Sequence, residues 1–302
     1  MSKVSFIKSD DRRYNIERCL SLIKSEIISG LKNASSVVVK PSCLTDNIRG
    51  AATSKDALAA VLSFIKPYVK GQITLAEGVS KGDTLTAFTN FDYLSLQEKY
   101  DFSIVDLNLD EYDKIPLIDN RGKIWAGQIA KTITRSDYLI SISSPKTHSS
   151  TMYGGVIENI AIGSLIRSNS TFSKPMNRLR SSFGFPKNNK ALVYQGERAT
   201  NENIKRVLEE APIRLAVLDA FEAMEGDGPI NGNMVPAHFA VASSDAVAAD
   251  SLACKLMNID PKNVGYLTFP DASHTENFVV GDDWKKNIMK FKLPSNFNNT
   301  QE

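Results

Sequence analysis

Short apolar runs rich in β-branched residues recur along this chain with room for a helix between most of them, and that spacing admits few folds. Val37-Val38-Val39-Lys40 comes first and ends at Pro41. Ile73-Thr74-Leu75-Ala76-Glu77-Gly78, Phe102-Ser103-Ile104-Val105-Asp106 and Asp137-Tyr138-Leu139-Ile140-Ser141-Ile142-Ser143 follow. The second half adds Leu215-Ala216-Val217-Leu218-Asp219 and Phe239-Ala240-Val241-Ala242-Ser243. Helical apolar spacing falls at 56–65 with Ser54 as N-cap, at 84–91, near 94–100, at 156–166, at 203–210 and at 245–257, capped by Asp245 or Ser244. Strands alternating with helices predict an α/β fold, a mainly parallel sheet with helices on both faces.

At 302 residues the chain can form one large domain, 1–302, or lobes at 1–150 and 151–293. A hydrophobic share of 42% supplies a core and excludes a disordered chain. The net charge of +2 argues against a dedicated nucleic-acid binder. Early charges at the N-terminus do not fit a secretory signal, and no run reaches the ~18 apolar residues of a membrane span. Three cysteines, Cys19, Cys43 and Cys254, are odd in number and scattered, so neither a disulfide framework nor a zinc knuckle is indicated. These features predict a cytoplasmic protein without a membrane partner. Residues 168–198 form a basic insert read as flexible, and 294–302 a frayed tail.

In parallel α/β sheets ligands sit beyond the carboxyl ends of the strands, so the polar residues there are the candidates. They are Lys40-Pro41-Ser42-Cys43, Glu77-Gly78, Asp106-Leu107-Asn108, Ser144-Pro145-Lys146-Thr147-His148, Asp219, Glu222 and Glu225-Gly226-Asp227-Gly228-Pro229. His148, two residues from Lys146 in a segment read as a loop, pairs an acid/base group with an anion-binding ammonium. His238 opens an apolar strand and reads as structural, whereas His274 has polar neighbours but no strand end. Cys43 follows Lys40, whose charge would favour a thiolate nucleophile or soft metal ligand; the plainer reading is a small loop residue. Cys19 and Cys254 fall in helical apolar patterns and read as core. Gly154 and Gly155 precede a helix, where bare amides can approach an anion or merely serve the turn, and Glu158 and Asn159 follow them. Glu225 and Asp227 offer oxygens to a divalent metal or simply form a turn. The insert region carries Arg167, Lys174, Arg178, Arg180, Lys187, Lys190 and Arg198, which could close over an anion, dock on RNA or stay solvated.

With these residues assembled, the chain resembles the DUF362 family from about Val37 to Tyr266. The resemblance rests on Val-Val-Lys-Pro at 38–41, Ala-Glu-Gly at 76–78, Val-Asp-Leu-Asn at 105–108 and Ser-Pro-Lys-Thr-His at 144–148. It continues through Leu-Asp-Ala-Phe-Glu-Ala-Met-Glu-Gly-Asp-Gly-Pro at 218–229 and Ser-Asp-Ala-Val-Ala-Ala-Asp at 244–250. Family members usually show asparagine where this chain has Ser42 and lysine where it has Glu158. The cysteine-rich ferredoxin-like module that many carry has no counterpart here, so no iron–sulfur cluster motif is present. The resemblance implies the fold and the site and brings no reaction.

The reading that follows is an enzyme acting on a small anionic metabolite. Lys40 and Lys146 hold the anion, with Ser42, Glu77, Gly154, Gly155 and Asn159 around it. His148 acts as acid/base, and Asp219 or Glu225 orients it or binds a metal. One alternative is a metal- or redox-dependent enzyme using Cys43 and His148. Another is a non-catalytic protein binding a ligand or, through the basic insert, RNA.

Overall fold

The computed structural model describes residues 2–167, 189–268 and 278–297. Twelve strands and nine helices follow one another in the described residues: β1 (Lys3–Lys8), α1 (Arg12–Leu22), α2 (Lys24–Leu31), β2 (Ser36–Pro41), α3 (Lys55–Ile65), β3 (Gln72–Glu77), α4 (Thr84–Asn90), α5 (Gln97–Tyr100) and β4 (Phe102–Asp106) come first. Then come β5 (Tyr112–Ile118), β6 (Ile124–Ala130), α6 (Lys131–Thr134), β7 (Tyr138–Ser143), β8 (Lys146–His148), β9 (Met152–Gly154) and α7 (Val156–Gly163). The order ends with α8 (Glu197–Glu210), β10 (Ile213–Glu225), β11 (Asn233–Ser243), α9 (Ala246–Leu256) and β12 (Phe278–Gly281).

Ten strands form one sheet with the path β12-β1-β11-β10-β7-β2-β3-β4, to which β8 and β9 attach beside β10. The run β10-β7-β2-β3-β4 is parallel throughout, and β11 joins it antiparallel to β10 and β1. The pleat sorts the strand residues onto two cores. Val37, Val39, Ile140, Ile142, Leu215 and Val217 enter one, while Val38, Leu139, Ala216 and Leu218 enter the other. Helices α1 to α4 bury their apolar stripes on the first face, and α7, α8 and α9 on the second. The α/β sheet with helices on both faces is therefore present. It runs across the 150/151 position at which two lobes were the alternative to one domain, since β10 pairs with β7 from Ile213 to Leu218.

Helix ends obey local chemistry. Ser54 accepts the amide of Asp56 at the start of α3, and Asp245, not Ser244, accepts that of Ala248 at the start of α9. Strand ends were harder to read. The 215–219 run is the middle of a strand reaching Glu225, carried past its charges by a register shift between Ala220 and Glu222. The connector before Asp137 holds the β5–β6 hairpin. The Lys-Thr-His segment, read as a loop, is strand β8: Lys146 is opposite Met224 of β10, and β9 runs antiparallel on its other side.

Part of the expected tail is tied down. The amide of Lys292 donates to Glu225 and that of Ser295 to Asp227, and Asn296 reaches the carbonyl of Ser149. Lys174, Arg178, Arg180, Lys187 and His274 lie outside the described residues.

Candidate functional site

Because β2, β3 and β7 run parallel, their carboxyl ends open on the same side, and β8, β9 and α7 stand over them. The result is a cleft of about 490 Å³ including its open mouth. Its walls take in Lys40, Ser42, Cys43, Glu77, Lys146, His148, Gly154, Gly155 and Asn159, nine candidates from four separate stretches of chain. Glu158 and Tyr194 complete it. Asp219, Glu225 and Asp227 stand outside. Asp219 accepts the amide of Phe221 and lies 3.3 Å from Nε of Arg12, while the other two carboxylates hold the C-terminal segment.

Three lysines are buried here, and their hydrogen bonds differ. Lys40 is fully buried and directs its three N–H bonds to Glu77 Oε1 at 2.8 Å, Asn159 Oδ1 at 2.9 Å and the carbonyl of Pro41 at 3.3 Å. Glu77 in turn accepts the amides of Gly78 and Cys43, and the Asn159 amide donates to Ser141 Oγ and to the carbonyls of Lys40 and Ile142. These groups are locked into one another, so Lys40, expected to hold an anion, instead ties β2 to β3 and α7. Lys190, missed as a site residue because it lies in a segment without periodicity, donates to the carbonyls of Gly78, Ile162 and Gly163, and burial pulls it down to about 7.

Lys146 is different. Among the described residues its ammonium makes one hydrogen bond, to the carbonyl of Ser144 at 2.9 Å. Burial pulls its pKa down to about 8, against the attraction of Glu158. Alternation along β8 places Lys146 and His148 on one face and Thr147 on the other, where its hydroxyl anchors to the carbonyl of Gly226.

His148 Nδ1 accepts the amide of Ser150 at 3.0 Å, so in the neutral ring the proton sits on Nε2, which faces Glu158 Oε1 at 3.3 Å. The imidazole stacks on Tyr194 with ring centroids 5.8 Å apart and planes within 12° of parallel. Tyr194 donates to the same Oε1 of Glu158, and the Thr151 hydroxyl, 3.0 Å from the carbonyl of Tyr153, lies 3.3 Å from it. Both imidazole nitrogens are thus engaged by the protein, and His148 orients Glu158. The Glu158 Oε2 has no hydrogen bond among the described residues and lies over Gly154, where a Cβ would come within 2.0 Å of it.

Gly155 has a similar role. A Cβ there would fall 2.1 Å from Oδ1 of Asp250. That buried carboxylate accepts the amides of Val156 and Ile157 and the hydroxyl of Tyr153, so the first turn of α7 is capped by the protein itself. The glycines admit two internal carboxylates rather than an external anion at the helix end.

Cys43 does not meet the expectation of a thiolate. Lys40 is turned to Glu77, Sγ lies 3.6 Å from the hydroxyl of Tyr93, and burial pushes the thiol well above its usual range. Among the described residues, no group of three or more His, Cys, Asp or Glu is arranged to hold a metal ion. His238 stacks on Phe221 and contacts Asp10, away from the cleft.

Residues 37–255 match the family described as a domain of unknown function, DUF362. The chain belongs to this family. The DUF362 segment takes in every cleft residue named above and Asp250, and leaves out β1, α1, α2 and β12. A thylakoid-associated protein of Synechocystis sp. is 24% identical over 292 residues, covering 88% of this chain and 80% of that one. The lactate racemase apoprotein of Thermoanaerobacterium thermosaccharolyticum aligns with a TM-score of 0.49 at 14% identity, over 86% of this chain and 57% of that structure. Among the described residues no helix is long and apolar enough to cross a membrane.

Proposed function

We propose that this DUF362 protein is an enzyme that takes a small organic anion into the cleft, with Lys146 as the group that contacts it and exchanges a proton with it. One observation carries the reading: of three buried lysines, Lys146 alone has a single hydrogen-bond acceptor among the described residues, while Lys40 and Lys190 have three each. A buried ammonium short of acceptors is poorly compensated, and an anionic ligand supplies what the protein withholds. A lysine pulled down to about 8 also interconverts between ammonium and amine near physiological pH, which suits acid/base work. Lys40, Glu77 and Asn159 serve as the rigid floor, and His148 and Tyr194 as the support of Glu158.

Thermal unfolding with a panel of small carboxylates and inorganic phosphate at millimolar concentration tests this, comparing the native protein with Lys146→Met. At least one anion should raise the native Tm progressively with the logarithm of its concentration and leave the variant unmoved. An equal rise in Lys146→Met, or no rise in either protein, sinks the reading.

A further inference from the structure

Glu158 is a second incompletely bonded charge on the same cleft. Its Oε1 accepts the hydroxyl of Tyr194 at 2.8 Å and has Thr151 and His148 each at 3.3 Å, so the protein engages the carboxylate through that oxygen. Its Oε2 is left without a hydrogen bond among the described residues, held over Gly154. The residue is buried, with 7% of its surface exposed, and Lys146 with 6%. The two line one cleft within electrostatic reach of each other, yet form no direct ion pair among the described residues. The Tyr194 and Thr151 hydroxyls are neutral, and so is the imidazole when its proton sits on Nε2, so none of the three groups around Oε1 cancels the charge of Glu158.

Two opposite charges, each fixed by its own surroundings and each lacking partners on the cleft side, form a template. Its complement carries an anion for Lys146 and a cationic hydrogen-bond donor for Glu158 Oε2. We infer that the ligand is a small zwitterion, an amino-carboxylate whose ammonium donates to Glu158 while its carboxylate meets Lys146. A plain carboxylate satisfies half of the site and brings a negative charge towards Glu158. The inference rests on the proposed role of Lys146 but adds a selectivity which that role does not require.

Isothermal titration at pH 7 with two matched series tests it: glycine, β-alanine and 4-aminobutyrate against acetate, propionate and butyrate. Varying the chain length covers the span between the two charges. The best amino-carboxylate should bind roughly ten- to a hundredfold tighter than its matched carboxylate, the worth of one charge-assisted hydrogen bond. In Glu158→Gln, which keeps an acceptor oxygen for Thr151, Tyr194 and His148, that ratio should fall to within about twofold. Equal binding of both series to the native protein, lost in Lys146→Met, overturns the zwitterion and leaves the anion site standing. Binding of neither series overturns both. The comparison on the native protein needs no variant to fold.

Discussion

Asp250 on α9 places its two carboxylate oxygens 3.1 Å and 3.0 Å from the amides of Val156 and Ile157, the first two residues of α7. A helix start that would otherwise offer bare N–H groups to a ligand is closed by a side chain some ninety residues away. This fixes α7 against α9, and with it Glu158 and Asn159, which face the cleft from its first turn. The Ser-Asp-Ala-Val-Ala-Ala-Asp run is therefore a device of two caps, Asp245 for its own helix and Asp250 for another.

Asp250→Ala should destabilise the fold by about 3 kcal/mol or more, because two amides and the Tyr153 hydroxyl lose a buried acceptor. Urea unfolding measures it. Burial pushes Asp250 up to about 7, against an unfolded value near 4. The folded state thus holds the proton more tightly between those values, and this group's contribution to stability falls as pH rises from about 4 to about 7. Asp250→Asn should lose that component of the slope; an unchanged slope would show that the carboxylate stays ionised in the folded protein throughout.

Lys40→Met should cost about 3–5 kcal/mol, since it strands the buried carboxylate of Glu77. Pairing it with Glu77→Gln should recover part of that loss, and a double-mutant cycle reads the coupling. Additive losses would mean that the two residues do not act as one unit.

The strand and helix periods were legible because the two faces of the sheet are both apolar, so Val37-Val38-Val39 reads as buried whichever way it faces. The cleft was legible too, since strand ends in a parallel sheet converge by construction, and Lys40, Glu77, Lys146 and His148 do line one space. What could not be read was which charges are already bonded to each other. Lys40 and Lys146 are indistinguishable as letters; only the position of Glu77 on the neighbouring strand and of Asn159 across the cleft separates them. Asp219 also ends an apolar run, yet β10 continues past it and its side chain lies beside Arg12, a residue more than two hundred positions earlier. Tyr194 carried no signal, and Lys190 stood out only as one of several charges in a basic, aperiodic stretch.

His148→Ala should weaken acetate binding through the loss of the Tyr194 stack and of the imidazole contact with Glu158, without moving the pH midpoint of that binding. Titrations of acetate across pH 6–10 in both proteins check it. A midpoint that shifts or vanishes with the imidazole would make His148, rather than Lys146, the proton-carrying group.

Lys146 titrates differently in the folded and unfolded chains. Burial lowers it to about 8 when folded, whereas the unfolded chain titrates near 10.4. Below about 8 both states carry the ammonium, and the folded state bears the full penalty of burying it. Between about 8 and 10.4 the unfolded state binds more protons, so stability rises with pH, by up to about 3 kcal/mol for this residue. Lys190, pulled down to about 7, adds a rise of the same sign beginning about one unit lower. Lys146→Met should therefore be more stable than the native protein at pH 7 and should lose its share of the alkaline rise, leaving that of Lys190. An anion that pairs with Lys146 restores the ammonium, so above pH 8 its binding should be accompanied by proton uptake. Calorimetry in buffers of different ionisation enthalpy detects that uptake directly. Its absence above pH 8, with the anion bound, would place the anion on some other group.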